Sequence, residues 1–242
     1  FLQSVLLGFI QGLTEFLPVS SSGHLAIFKY IFGVSDVGLG FDVLLHVGTL
    51  IAVVAVYYRD IWELVQALIQ IIASLIRNLV RFVKRITRQA DRYEAPYEKV
   101  IDDPYKKFAL MIIISTIPVG IVGFLIQGYV ERISKGLLVP GICLLITGVV
   151  LLLAEAFPNG KKGLKSATYK NAVLIGVAQA AAVFPGISRS GATISASMMC
   201  GFKKTFAVKY SFILSVPAIL GAALKMTFDL IKGEGTSDGG NF

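Results

Sequence analysis

The chain has 242 residues, 55% of them apolar and only 16% charged, with a mean hydropathy of +0.74 and a net charge of +8. Soluble domains carry about 25% charged residues, so this composition excludes a water-soluble globular enzyme and predicts an all-α integral membrane protein. In such a chain positive charge reports topology first, and no nucleic-acid partner is expected.

The first element is the apolar stretch 2–17, which runs into FLPVSSSGHLAI at 16–27. It lacks the basic start of a signal peptide, and Phe1 in place of Met reads as a trimmed N-terminus. A span needs about 20 apolar residues. This stretch stops short of that, and a second short helix is expected over 24–32. The pair reads as a broken, re-entrant helix, tolerated at membrane depth only where it is buried or lines a wet cavity.

Residues 41–58 form the first full span. Residues 61–88 are apolar enough for another, but Glu63, Gln66, Gln70, Ser74, Arg77, Arg81, Arg85 and Arg88 recur every three or four positions as one helical stripe. A basic amphipathic helix lying in the interface fits that pattern better than a span. A polar, mixed-charge loop at 91–103 precedes spans at 108–130 and 137–157. Residues 172–184 then stop at PGISRSGAT, a short helix is expected over 192–201, and a last span covers 206–230 before the polar tail GEGTSDGGNF. Cys143 and Cys200 read as small core residues.

Residues 59–107 carry ten Lys/Arg and 161–170 carry four, together 14 of the chain's 23. Two spans separate these segments, so both lie on one side, which the positive-inside rule makes cytoplasmic. Segment 33–40 and the turn at 131–136 are then outside.

GFIQGLTEFLPVSSSG (8–23) and GVAQAAAVFPGISRSG (176–191) match at a fixed offset of 168: Gly8/Gly176, Gln11/Gln179, Phe16/Phe184, Ser20/Ser188, Ser22/Ser190 and Gly23/Gly191. Three expected crossings lie between the copies, and an odd number inverts the second. The predicted architecture is a single integral membrane domain, 1–242, of two inverted repeats (about 1–168 and 169–242). Each is a re-entrant helix pair plus transmembrane helices, and the second is about two spans short. Such repeats place a polar site where their broken helices meet.

The second loop has the chemistry of an anion site. Ser188, Ser190 and Thr193 supply hydroxyls, Gly191 allows close backbone approach, and a helix N-terminus follows. Arg189 adds a planar fork that matches phosphate oxygens, and an intramembrane arginine is a functional residue by default. Its structural alternative is an ion pair with Glu15 or Asp42. The first loop supplies Glu15, the hydroxyls of Ser20, Ser21 and Ser22, Gly23, and His24 as acid or base; a phosphate held by Arg189 is open to attack by a serine hydroxyl, Ser21 among them, or by His24. Glu15 is either a base or a metal ligand. Helix capping is the alternative for Ser20 and Ser22, and a hydrogen-bonded helix-start residue the alternative for His24. Asp42 and His46 share a face four residues apart, a spacing that can hold a metal and that equally suits helix capping and packing. Gln179, the partner of Gln11, suits a hydrogen bond across the repeat interface.

At these residues the chain resembles the undecaprenyl-pyrophosphate phosphatase family of the bacitracin-resistance type. QGLTEFLPVSSSGH is similar to that family's first motif, with Glu15, Ser21 and His24 in matching positions. PGISRSGAT is similar to its second, with Ser188, Arg189 and Thr193 matching. The resemblance extends over about residues 1–232. It implies a cell-membrane hydrolase that takes the terminal phosphate from a C55 polyprenyl diphosphate and so recycles the lipid carrier of cell-wall synthesis. It further implies a divalent cation, Mg²⁺ or Ca²⁺, near Glu15, with Gln11 and Asp42 as weaker candidate ligands, and a site open to the extracytoplasmic side. Gln11 departs from the acidic residue often found at its position and leaves Glu15 as the loop's only carboxylate. The expected partners are the lipid substrate, membrane lipids and a second copy in a homodimer. A phosphate or lipid-phosphate transporter is the rival reading, because inverted repeats with broken helices also build carriers.

Overall fold

The computed structural model describes residues 1–34, 39–87, 96–133 and 136–232. The predicted tail, and parts of the expected loop at 91–103, of segment 33–40 and of the turn at 131–136, lie outside these residues. Among the described residues the chain is helical: α1 (Leu2–Phe16), α2 (Ser21–Ile31), α3 (Leu39–Ile86), α4 (Pro104–Ile133), α5 (Leu138–Glu155), α6 (Tyr169–Ala181), α7 (Arg189–Met199) and α8 (Lys204–Ile231), with a 3₁₀ turn at Leu164–Ser166. The only strand-like pairing among them is an isolated parallel bridge between Lys162 and Phe202.

Four helices are long and apolar enough to cross a membrane, through Gly40–Ile86, Pro104–Ile126, Leu138–Glu155 and Lys204–Lys225. Their outward residues are large and apolar, with Phe124, Leu145 and Leu152 strongly exposed. That pattern is reversed from a water-soluble surface and suits hydrocarbon as solvent. The chain is therefore an all-α, polytopic membrane protein.

One expected boundary is absent. The span at 41–58 and the amphipathic segment at 61–88 are a single helix of 48 residues, broken only by non-helical geometry at Tyr57 (φ −105°, ψ 20°). The break leaves 29 residues beyond it, roughly 43 Å of helix at 1.5 Å per residue. Leu64, Ala67, Ile71 and Ser74 turn inward there. Arg77 and Arg81 both bond the Glu98 carboxylate, and Asn78 holds the backbone of Glu98 through both its N–H and its carbonyl. The polar stripe is thus partly covered by a strap of the chain's own backbone. The apolar flank, including Trp62, Ile69, Ile76 and Phe82, stays exposed.

The core lies where α3, α4, α6 and α8 meet. Phe108 and Met111 of α4, Ile175 of α6, and Tyr210 and Leu214 of α8 are essentially inaccessible. Phe108, Phe202, Phe206 and Tyr210 pack there as tilted rings, with Phe206 and Tyr210 edge to face. The Tyr210 hydroxyl is satisfied by Ser115, which also donates to the Ala172 carbonyl. Cys200 is half-buried against this core and Cys143 is buried in α5, both as free thiols.

Candidate active site

Both polar loops begin a helix in the same way. Ser20 adopts φ 70°, and its Oγ accepts from the Gly23 N–H at 3.4 Å, so α2 starts at Ser21. Ser188 caps α7 by accepting from the Gly191 N–H at 3.0 Å. At each cap a second serine hydroxyl lies 3.3 Å from the first, Ser22 beside Ser20 and Ser190 beside Ser188. Sequence-equivalent serines thus make equivalent bonds, and the two short helices begin at positions 168 residues apart.

The loops also touch. The Gly186 N–H donates to Ser22 Oγ at 3.3 Å. Gly186 has φ +99°, and a side chain there would collide with the Pro140 carbonyl and Cys143. A Cβ on Gly23 would sit 2.7 Å from Leu144 and 3.0 Å from the Gly186 backbone. Thr147 of α5 pins the second loop from behind: its Oγ1 donates to the Gly186 carbonyl at 2.8 Å and accepts from the Ser188 N–H at 3.0 Å.

Between the loops lies a cavity of about 200 Å³, lined by side chains that include Glu15, Ser21, His46, Ser188, Arg189 and Ser190. Glu15 is 8% exposed and is its centre. Its Oε2 accepts from Ser21 Oγ at 2.6 Å and from Gln11 Nε2 at 3.1 Å, and its Oε1 pairs with an Arg189 terminal nitrogen. The other terminal nitrogen of Arg189 is buried without a partner. One tine of the fork is therefore held by Glu15 while the second is free for an incoming oxygen. The ion pair weighed against a phosphate role is present, and it occupies only half of the guanidinium.

Several predicted site residues stand elsewhere. Thr193 is fully buried, its hydroxyl bonded to the Arg189 carbonyl and to Ser211 of α8 at 2.6 Å; it joins two helices and does not line the cavity. Gly23 and Gly191 spend their N–H groups on the serine caps and serve close loop packing instead of ligand approach. His24 is not among the lining side chains, and its Nδ1 lies 2.8 Å from the Ser20 carbonyl. Asp42 is held by Lys29 at 2.6 Å and also stands outside the cavity. Ser20, Ser22, Ser188 and Ser190 do line it, the first and third also as caps.

Two contributors are under-read in the sequence. His46 lines the cavity with Nε2 3.7 Å from Glu15 Oε2. Thr147 belongs to no motif, and its one signal in the sequence is that it is the only hydroxyl residue in the apolar helix LVPGICLLITGVVLLLAE.

No group of three or more His, Cys, Asp or Glu residues that could hold a metal occurs among the described residues. A hard divalent cation needs fewer protein ligands when phosphate oxygens complete its shell. Glu15 fits that role, and Gln11, 1% exposed with Oε1 unpartnered, leaves a buried amide oxygen one turn behind it. Asp42, already neutralised by Lys29, does not fit.

Crossing helices that enclose a buried carboxylate, a half-paired arginine and a ring of hydroxyls define a polytopic membrane protein with a polar, charged cavity among its helices. The chain belongs to the bacitracin resistance protein BacA family, whose pattern matches residues 4–240. It is 41% identical to a protein named undecaprenyl-diphosphatase from Methanobrevibacter smithii, across 95% of this chain and 77% of that one. The protein of the same name from Methanosphaera stadtmanae is 39% identical, across 95% and 78%. Undecaprenyl-diphosphatase 4 of Bacillus cereus is 36% identical, across 98% and 77%.

Proposed function

We propose that this chain hydrolyses undecaprenyl diphosphate to the monophosphate and inorganic phosphate, returning the lipid carrier to cell-wall synthesis. The observation that carries the reading is the 2.6 Å hydrogen bond from Ser21 Oγ to Glu15, in a cavity that also presents a free tine of Arg189. A nucleophile bonded to a base beside an anion-binding group is the recurring arrangement of covalent phosphoryl transfer.

In this reading the terminal phosphate enters between the loops and takes the unpaired nitrogen of Arg189. Its charge competes with Glu15 for the rest of the fork, which leaves the carboxylate free to receive the Ser21 proton. Ser21 Oγ attacks the terminal phosphorus. The bond from phosphorus to the bridging oxygen breaks, and polyprenyl phosphate departs with the electron pair. Glu15 passes the Ser21 proton on to the departing phosphate. Water then attacks the phosphoserine phosphorus and gives a proton to Glu15, which returns it to Ser21 Oγ as the bond from that oxygen to phosphorus breaks and inorganic phosphate leaves. Ser20, Ser22, Ser188 and Ser190 offer hydroxyls to the phosphate oxygens. The divalent cation implied by the family resemblance, Mg²⁺ or Ca²⁺, would be held by Glu15 and would neutralise charge on the diphosphate.

The equivalent serine caps 168 residues apart support two repeats, about 1–168 and 169–242, whose broken helices are re-entrant. The basic residues of 59–107 and 161–170 support an orientation with those segments cytoplasmic, and the family resemblance implies a cavity open to the extracytoplasmic side. The test is phosphate release from a polyprenyl diphosphate by purified protein in detergent. Without compartments a hydrolase turns over and a carrier releases nothing.

A further inference from the structure

We infer that His46 is the second protein ligand of the divalent cation, so that Glu15 Oε2 and His46 Nε2 bind one ion between them and bias the site toward Mn²⁺ over Mg²⁺ and Ca²⁺. The inference rests on the phosphatase reading, and the geometry of His46 carries it. The ring's Nδ1 lies 2.8 Å from the Asp42 carbonyl, one helical turn back. A carbonyl only accepts, so the proton sits on Nδ1, and in the neutral ring Nε2 carries the lone pair. Metal-binding histidines are held in this way, with the other nitrogen donating to a carbonyl or carboxylate that fixes tautomer and orientation.

That lone pair faces the cavity. Nε2 is 3.7 Å from Glu15 Oε2, beyond hydrogen-bond reach yet with both groups among the lining side chains. A donor–acceptor pair would close to about 2.9 Å. Two neighbouring ligand atoms on one ion, each roughly 2.1 Å from it, stand about 3.0 Å apart at a right angle and about 3.4 Å apart at the tetrahedral angle, so closing this gap by a few tenths of an ångström seats both on one ion. Oε1 of Glu15 is tied to Arg189, and Oε2, which also accepts from Ser21 and Gln11, is the oxygen turned toward the imidazole, so an ion seated there displaces the Gln11 amide N–H. Behind it lies the unpartnered buried Oε1 of Gln11, a third oxygen within the same helix turn. Of the chain's two histidines only His46 lines this cavity.

An all-oxygen shell suits Mg²⁺ and Ca²⁺, whereas a mixed carboxylate–imidazole set favours first-row transition ions. The chain should therefore bind Mn²⁺ more tightly than Mg²⁺. His46→Gln should erase most of that preference, weakening Mn²⁺ binding tenfold or more while leaving Mg²⁺ binding little changed.

The direct probe is Mn²⁺ itself, bound to the purified chain and examined by electron spin-echo envelope modulation for a ¹⁴N coupling. The expected spectrum shows a directly bound imidazole nitrogen that persists in His24→Gln and vanishes in His46→Gln. A wild-type spectrum without ¹⁴N coupling would overturn the inference by itself, whether or not the variant folds. So would a coupling that survives in a folded His46→Gln chain. Phosphate release measured on the same samples separates the two readings. Turnover without nitrogen coupling sinks the metal assignment alone, and nitrogen coupling without turnover sinks the phosphatase reading alone.

Discussion

Thr147→Val removes one hydroxyl and almost no volume, yet it strikes the support of the second loop. The hydroxyl satisfies two buried backbone groups at once, the Gly186 carbonyl and the Ser188 N–H. Neither finds water in a loop packed against α5. Leaving a buried polar group unpaired costs about 1–3 kcal/mol, so two together should lower stability by roughly 3 kcal/mol, allowing for some relaxation. Relaxation has its own consequence, because Ser188 caps α7 and the next residue is Arg189. A displacement of about 1 Å at the arginine is enough to lose on the order of a hundredfold in rate. Thr147→Val should therefore show a lowered unfolding temperature in detergent together with a large drop in kcat/KM for phosphate release. Thr147→Ser, which keeps the hydroxyl, should stay within a few-fold of the parent. Near-parental stability and turnover in the valine variant would refute the pinning role.

Ser21→Ala should lower kcat far more than it changes substrate binding, whereas Ser20→Ala should act mainly through the lost cap, at about 1 kcal/mol of stability; steady-state kinetics and thermal melts distinguish the two. Arg189→Lys keeps the charge but not the fork, and should cost on the order of 3 kcal/mol, roughly a hundredfold, in kcat/KM without unfolding the chain. A cysteine placed at Tyr97 should resist an impermeant thiol reagent in intact cells, and rapid labelling would reverse the proposed orientation. The Arg77 hydrogen bond, with the Arg77 and Arg81 charges, holds the Glu98 carboxyl below its ordinary value of 4.5. Its contribution to the strap is therefore fully present above that value and is lost as pH falls through the lower folded one. The protection of the Glu98 amide against hydrogen exchange, taken relative to the intrinsic rate at each pH, should be high at neutral pH and fall in acid, since that amide is bonded to Asn78. Unchanged protection down to strongly acidic pH would contradict it.

Much of this was readable from residue order. The broken helices announced themselves because Pro18, Pro185 and runs of serine cannot sit idle in an apolar chain, and their equal spacing located both halves of the cavity. What failed was resolution within the loops. Helix α7 starts at Arg189, three residues before the expected position, because a serine cap lets the helix begin as soon as its first N–H groups are satisfied. Thr193 therefore falls a full turn inside α7, where it faces Ser211 instead of the ligand. Sequence neighbours favour His24 over His46, but which of the two faces Glu15 depends on how α3 packs beside α1. No local pattern encodes that rotation. The break at Tyr57 was likewise invisible, since nothing at that residue forbids a helix and its effect is only to redirect one.

The contact between the loops has a mechanical consequence. Gly23 faces the Gly186 backbone with no room for a methyl group, and Gly191 stands in the same relation to the Pro18 carbonyl. Two backbones meeting at such clearance behave as a single machined part. The width of the cavity is set by main-chain geometry and not by the side chains that line it. Exchanging a lining hydroxyl alters what the cavity does, while adding one carbon atom at either glycine alters its dimensions. The tolerances of the chamber are therefore written in residues that never meet the ligand.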